Sequence, residues 1–180
     1  MKHLFWIDME MSGLIPEKDR ILEVALVVTD TQFSILETYE NVVYQDASIL
    51  SSMNDWCKKH HAESGLTSKV TNGKKEADVE QDLIEILKKY SPSPKKEKGL
   101  LAGNSIGQDR KFIDLWMPRL AESLHYRMLD VSSFKIIFEE IYKKKFEKQK
   151  KHRAVDDILE SIAELKFYMQ FISCHAGLQT

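Results

Sequence analysis

The chain has 180 residues, 43% hydrophobic and 30% charged, with a formal net charge of −2. This fits one domain of ordinary globular composition and excludes a global basic field, so any nucleic-acid partner must be held by a local site. Two cysteines far apart, Cys57 and Cys174, exclude a disulfide framework or a structural zinc motif and fit a reducing compartment.

No apolar run reaches the length of a membrane span. The sequence enters Leu4-Phe5-Trp6-Ile7 at once, leaving no room for a targeting segment, and a cytoplasmic protein is the expectation.

Residues 3–8 read as a short buried strand that ends in carboxylates. Ser12, Gly13 and Pro16 mark a loop. The β-branched run 21–29 predicts a central strand, 30–32 a turn, and 33–44 a third strand with Ile35, Val42 and Val43 in the core. Short turns make these three an antiparallel meander.

Residues 47–70 read as helical pieces, the first with one apolar stripe of Ile49, Leu50, Met53 and Trp56. Residues 79–90 form an amphipathic helix on Val79, Leu83, Ile86, Leu87 and Tyr90. A Pro-broken surface loop follows at 91–98. Residues 99–104 are a short strand running into a turn and a helix with Phe112, Leu115 and Trp116 inside, ended or kinked by Pro118. A fifth strand at 126–130 leads into a helix at 131–142, and 143–151 is a basic, exposed run. The last helix, 154–172, buries Val155, Ile158, Ile162, Leu165 and Met169, and the last seven residues or so form a flexible tail. The sum is one α/β domain over residues 1–180: a five-stranded mixed sheet, three antiparallel strands then two more, flanked by helices.

In a strand, residues i and i+2 share a face, so Asp8 and Glu10 project side by side. Adjacent carboxylates repel unless a cation lies between them, and a hard divalent ion, Mg²⁺ or Mn²⁺, suits oxygen ligands. Further carboxylates lie where strand ends meet helix starts: Asp109 after the fourth strand, and Asp156 and Asp157 at the start of the last helix, preceded by His152. Acids at a helix start are also favoured by the dipole alone. Composition and spacing do not rank Asp109 against Asp130, Asp30 or Glu23. No Gly-x-x-x-x-Gly-Lys-[Ser/Thr] phosphate loop is present.

Five blocks in order resemble oligoribonuclease, a member of the DEDDh exonucleases. They are Asp8-x-Glu10 with Met11-Ser12-Gly13-Leu14; Met53-Asn54-Asp55-Trp56 with His60-His61 and Ser64-Gly65-Leu66; Gly103-Asn104-Ser105-Ile106-Gly107-Gln108-Asp109-Arg110; His125-Tyr126-Arg127-Met128-Leu129-Asp130-Val131-Ser132; and His152-Arg153-Ala154-Val155-Asp156-Asp157.

The resemblance implies an RNase H-like fold and 3′→5′ hydrolysis of short oligoribonucleotides, dinucleotides above all, to 5′-mononucleotides. It makes Asp8, Glu10, Asp109 and Asp157 the ligands of two divalent cations, Mg²⁺ or Mn²⁺, and His152 the general base, with Asp156 a neighbour and Asp130 structural. Two such ions can activate a water and stabilise the leaving 3′ oxygen. A histidine near neutrality can accept the proton of the attacking water.

The implied substrate contacts are Leu14 as a wedge between bases and Trp56 as a stacking platform. His61 would serve a phosphate or the 3′ ribose, and Ser105 and Gln108 the bases or sugars. In that family the 5′ phosphate is capped from the second protomer of a homodimer, here by Tyr126, Arg127, Ser132 and Ser133. The lysine-rich segment before His152 departs from the family's loop.

Overall fold

The computed structural model describes residues 3–91, 98–147 and 154–176, with side chains to 172. Its elements run β1 (His3–Met11), β2 (Ile21–Asp30), β3 (Ile35–Val42), α1 (Ala47–Ser52), α2 (Asp55–Glu63), α3 (Thr67–Val70), α4 (Glu76–Tyr90), β4 (Gly99–Gly103), α5 (Gly107–Trp116), α6 (Pro118–Ser123), β5 (Leu124–Asp130), α7 (Val131–Glu140) and α8 (Ala154–Ala176). The sheet order is β3-β2-β1-β4-β5. β1–β2 and β2–β3 are antiparallel, while β1–β4 and β4–β5 are parallel. This is the mixed sheet that the meander and the later strand–helix alternation predict.

Alternation along β1 assigns the two layers. Phe5, Ile7 and Met9 face a core with Leu83 and Leu87 of α4, Phe112 and Ile113 of α5, and Leu120 of α6. Leu4 and Trp6 face the other side, against Val131 and Phe138 of α7 and Ala154, Ile158, Ile162 and Leu165 of α8. The buried Trp6 indole donates from Nε1 to Thr29 Oγ1 at 3.0 Å, so its one polar atom is satisfied. A third cluster holds Leu22, Met53, Cys57, Leu66 and Val70 beneath α2 and α3.

The structure corrects several boundaries and faces. β1 continues three residues past Asp8, pairing with β2 as far as Met11↔Ile21, so Asp8 and Glu10 lie within a strand rather than closing it. β3 starts only at Ile35, because the Asp30 carboxylate accepts from the Gln32 and Ser34 amides and holds the turn open longer. Ile35 is exposed on this edge strand, whereas Val43 is fully buried beyond its end. The stripe from Ile49 to Trp56 is broken. The helix stops at Met53, and Asn54 caps a new one by accepting from the Cys57 amide at 2.8 Å. The restart changes the phase: Met53 is buried and Trp56 points to solvent. Leu115 is likewise exposed near the end of α5, where the chain turns before Pro118 opens α6.

Helix α8 runs to Ala176. The expected surface loop falls largely on 92–97, the end of the basic run and His152 on 148–153, and the end of the expected tail on 177–180; all of these lie outside the described residues. Among the described residues no helix is long and apolar enough to cross a membrane.

Candidate active site

The α8 side of β1 is apolar at Leu4 and Trp6 and turns acidic at Asp8 and Glu10, by the same two-residue alternation. The start of α8 lands beside this transition, because Ala154 and Ile158 pack into the same cluster as Trp6. Asp157 is thereby brought to the carboxylates of β1. One oxygen from each of Asp8, Glu10 and Asp157 lies within 4.8 Å of the others. All three residues are half-buried.

Asp109 approaches from the opposite layer. β4 pairs with β1 only as far as Trp6↔Ala102 and ends at Gly103, so β1 outruns its parallel neighbour. Gly103 is needed there, because a Cβ would stand 2.9 Å from the Ile7 carbonyl oxygen. Beyond β4, α5 supplies the missing partner: Asp109 Oδ1 accepts from the Met9 amide at 3.1 Å. Asp109 is only 7% exposed. Burial pushes its carboxyl up to about 7, opposed by the backbone amides of Asp109 and Met9 and assisted by the negative charges of Glu10 and Asp130.

Four carboxylates on three elements thus surround the middle of β1, three converging and the fourth held against the backbone between Asp8 and Glu10. Oxygen donors and concentrated negative charge fit a hard divalent cation. Glu23 is the register partner of Glu10 and adds a further carboxylate beside it. Asp156 is not in the converging group. The other acids have local tasks. Asp130 caps α7, accepting from the Ser132 amide at 2.9 Å and the Ser105 amide at 3.0 Å, and Asp30 holds the β2–β3 turn.

Next to the acids lies a cleft of about 460 Å³, lined by Glu10, Leu14, Trp56, Cys57 and His61 among others. Leu14 is 74% exposed and Trp56 68%. Solvent exposure of two large apolar side chains that line one cleft is a feature that folding alone does not require.

Leu14 rides on a braced loop. Asp19 accepts from Ser12 Oγ at 3.1 Å and from the Ile15 amide at 2.9 Å, and Trp116 Nε1 donates to the Pro16 carbonyl at 3.0 Å. Arg20 lays its guanidinium 3.6 Å above the Trp116 ring. Gln108 Nε2 donates to the Leu14 carbonyl at 2.8 Å, which fixes the lip from the α5 side. Trp56 stacks on His60 with ring centroids 4.8 Å apart.

His61 is 1% exposed. Its Nε2 is 2.9 Å from the Met11 carbonyl, so Nε2 carries the proton, and Nδ1 stands 3.9 Å from Glu10 Oε2. Nδ1 has no hydrogen-bond partner among the described residues.

Two groups of expected contact residues sit elsewhere. Ser105 and Ser132 bond to each other, Oγ to Oγ at 3.1 Å, with Ser132 also accepting from the Ser105 amide at 2.9 Å. Tyr126 and Arg127 stand exposed on edge strand β5, one strand beyond β4 from the acids, with the guanidinium 5.4 Å from the Tyr126 ring centre; Ser133 is exposed on α7. Sequence reasoning passed over Asp19 and the burial of His61. Asp19 left no signal in the sequence; its role shows only in the fold, where a Cβ on Gly13 would lie 2.4 Å from its carboxylate.

Comparison with known proteins agrees with this geometry. Residues 5–165 match the RNase_T family, described as exonuclease. Oligoribonuclease of Francisella tularensis subsp. tularensis (strain WY96-3418) is 43% identical over 171 residues, covering 93% of this chain and 94% of that one. Oligoribonuclease of Ralstonia nicotianae is 46% identical over 173 residues, covering 93% and 78%. Among solved structures, E. coli exonuclease I in complex with a dT13 oligonucleotide superposes with a TM-score of 0.69 at 13% identity, over 93% of this chain and 41% of that one. Exonuclease I from Methylocaldum szegediense gives 0.61 at 16% identity, over 91% and 39%. The chain spans about two fifths of the exonuclease I chains, and the shared part is an RNase H-like fold. The chain belongs to the oligoribonuclease family and is a 3′→5′ exoribonuclease, a hydrolase of phosphodiester bonds.

Proposed function

We propose that the enzyme degrades short single-stranded oligoribonucleotides, diribonucleotides foremost, to 5′-mononucleotides, with Asp8, Glu10, Asp109 and Asp157 as ligands of two divalent cations, Mg²⁺ or Mn²⁺. The observation that carries this reading is the convergence of Asp8, Glu10 and Asp157 beside a cleft with an exposed Leu14 and Trp56 on its walls. Bound cations would supply a water of lowered pKa and charge stabilisation for the departing 3′ oxygen.

The protein's own groups do the rest. Trp56 takes a terminal base on the ring face turned from His60, and Leu14 separates it from its neighbour. With Nε2 committed to Met11, His61 leaves Nδ1 for a phosphate or the 3′ ribose. Gln108 holds the Leu14 lip from α5 and is assigned, with Ser105, to the bases or sugars of the substrate. Asp109 is held by the Met9 amide so that its carboxylate does not swing. His152, which lies outside the described residues, accepts the proton of the attacking water; its assignment rests on the motif that it shares with Asp156 and Asp157.

The length limit comes from closure at the 5′ end. Tyr126, Arg127, Ser132 and Ser133 of a second copy of the chain are assigned that cap, Arg127 pairing with the 5′ phosphate through two hydrogen bonds. The enzyme would then act as a homodimer, in the cytoplasm.

Digestion of 5′-phosphorylated di- to heptaribonucleotides with Mg²⁺ tests the reading, with Asp109→Ala as the inactive control. Faster cleavage of dimers than of any longer chain is expected. Equal or slower cleavage of dimers would remove the dinucleotide assignment.

A further inference from the structure

The face of α8 that meets the sheet is not wholly apolar. Asp157, Ser161, Glu164 and Tyr168 recur at intervals of four, three and four residues, which places them on one side of the helix. Ser161, Glu164 and Tyr168 are all buried, Glu164 with 1% exposure. A buried carboxylate is costly to desolvate, and apolar side chains of similar size give equal or better stability in such places. Packing therefore does not account for this stripe.

Its hydrogen bonds lead toward Asp157. Asn104, just past the end of β4, donates from Nδ2 to Ser161 Oγ at 2.8 Å and to Glu164 Oε2 at 3.1 Å. Ser161 Oγ donates in turn to the Asp157 carbonyl at 2.9 Å. Tyr168 donates to Glu164 Oε1 at 3.0 Å. On the other side of the amide, Ser132 Oγ donates to Asn104 Oδ1 at 3.3 Å. The single proton of Ser132 is thus spent on Asn104, so Ser105 Oγ is the donor in its contact with Ser132. The polar groups form a directed chain from Ser105 and Ser132 through Asn104 and Ser161 to the backbone of Asp157. Every donor in that path points one way, the arrangement in which neighbouring hydrogen bonds reinforce each other.

We propose that Asn104 is a positioning residue for the cation site. With Ser161 it pins the first turn of α8 to the end of β4, and so sets where the Asp157 carboxylate stands against Asp8 and Glu10. Ser132 ties the same amide to α7. The inference rests on the reading of Asp157 as a ligand. It adds Asn104 and Ser161, which are assigned no contact with ion or substrate, as outer partners of metal ligands.

Mn²⁺ alone, titrated by calorimetry into the full-length enzyme, is the probe. Asn104→Ala and Ser161→Ala are expected to weaken Mn²⁺ binding about tenfold. Their kcat should return to within about threefold of wild type at saturating Mn²⁺, and Ser161→Thr, which keeps the hydroxyl, should bind as wild type does. Thermal melting in EDTA separates packing from positioning: a lower melting temperature with unchanged Mn²⁺ affinity would overturn the proposal. Should Asn104→Ala fail to fold, Ser161→Ala, which loses one hydroxyl, carries the test. Asp157→Ala is the control for the underlying reading. If it binds Mn²⁺ as tightly as wild type, the ligand assignment falls, and this inference with it.

Discussion

The Met9 amide donates to Asp109 Oδ1 at 3.1 Å, and that bond ties α5 to β1 beside the converging carboxylates. It satisfies an N–H that β1 would otherwise leave open where β4 ends, and it fixes a buried carboxyl whose ionisation its surroundings oppose. In the absence of a cation, burial and the charges of Glu10 and Asp130 conflict with its ionisation, while an oxygen stays available to the amide in either protonation state.

That conflict has a pH signature in the metal-free enzyme. The carboxyl titrates at about 7 in the fold against an ordinary value of 3.8. Between these values the folded chain holds a proton that the unfolded chain has lost, so this group's contribution to stability is complete below 3.8, falls as pH rises toward 7, and is flat above. The total is on the order of a few kcal/mol. Asp109→Asn keeps an oxygen for the Met9 amide and removes the charge. Urea unfolding in EDTA should show it more stable than wild type at pH 8, with the difference shrinking steadily toward pH 5, while it is inactive at every pH. A difference that does not vary with pH would contradict this account.

Gly13 lies where a Cβ would meet the Asp19 carboxylate at 2.4 Å. Gly13→Ala should push Asp19 off Ser12 and the Ile15 amide and displace the loop that carries Leu14. A stability loss of roughly 1–3 kcal/mol is expected, together with a larger KM than Asp19→Asn produces. Melting temperatures and steady-state kinetics on a dinucleotide check both parts.

Leu14 and Trp56 are exposed, so truncating them should leave stability nearly unchanged and fall on binding. Base stacking on an aromatic ring contributes roughly 1–3 kcal/mol, and Trp56→Ala should raise KM for dinucleotides about tenfold or more with a smaller change in kcat. Leu14→Ala should act in the same direction. Melting curves that drop by many degrees would mean that these side chains support the fold instead.

Much of the layout is readable from the sequence because it depends on short-range alternation. Asp8 and Glu10 share a face by the two-residue period of a strand, and the β-branched run around Val24 to Val28 fixes the central partner. Asp109 could not be separated from Asp130 and Asp30 by composition. Asp30 spends its carboxylate on amides two and four residues ahead, and Asp130 on the amides of Ser132 and Ser105, a turn and a cap that only the fold reveals. Trp56 misled because one apolar period was carried through Asn54, where a new cap resets the helix phase. The polar stripe of α8 was hidden for a related reason: Ser161 and Glu164 look like a solvated face until β4 and α7 bring Asn104 and Ser132 against them.

The central claim is that Asp8, Glu10 and Asp157, with Asp109, form one site for divalent cations. Calorimetric titration of the enzyme with Mn²⁺ at pH 8, in the presence of a 5′-mononucleotide, tests it most directly. Two Mn²⁺ per chain are expected for the wild type, with Asp8→Asn and Glu10→Gln each losing at least one while retaining the wild-type melting temperature in EDTA. Undiminished binding of Mn²⁺ by both variants would contradict the account.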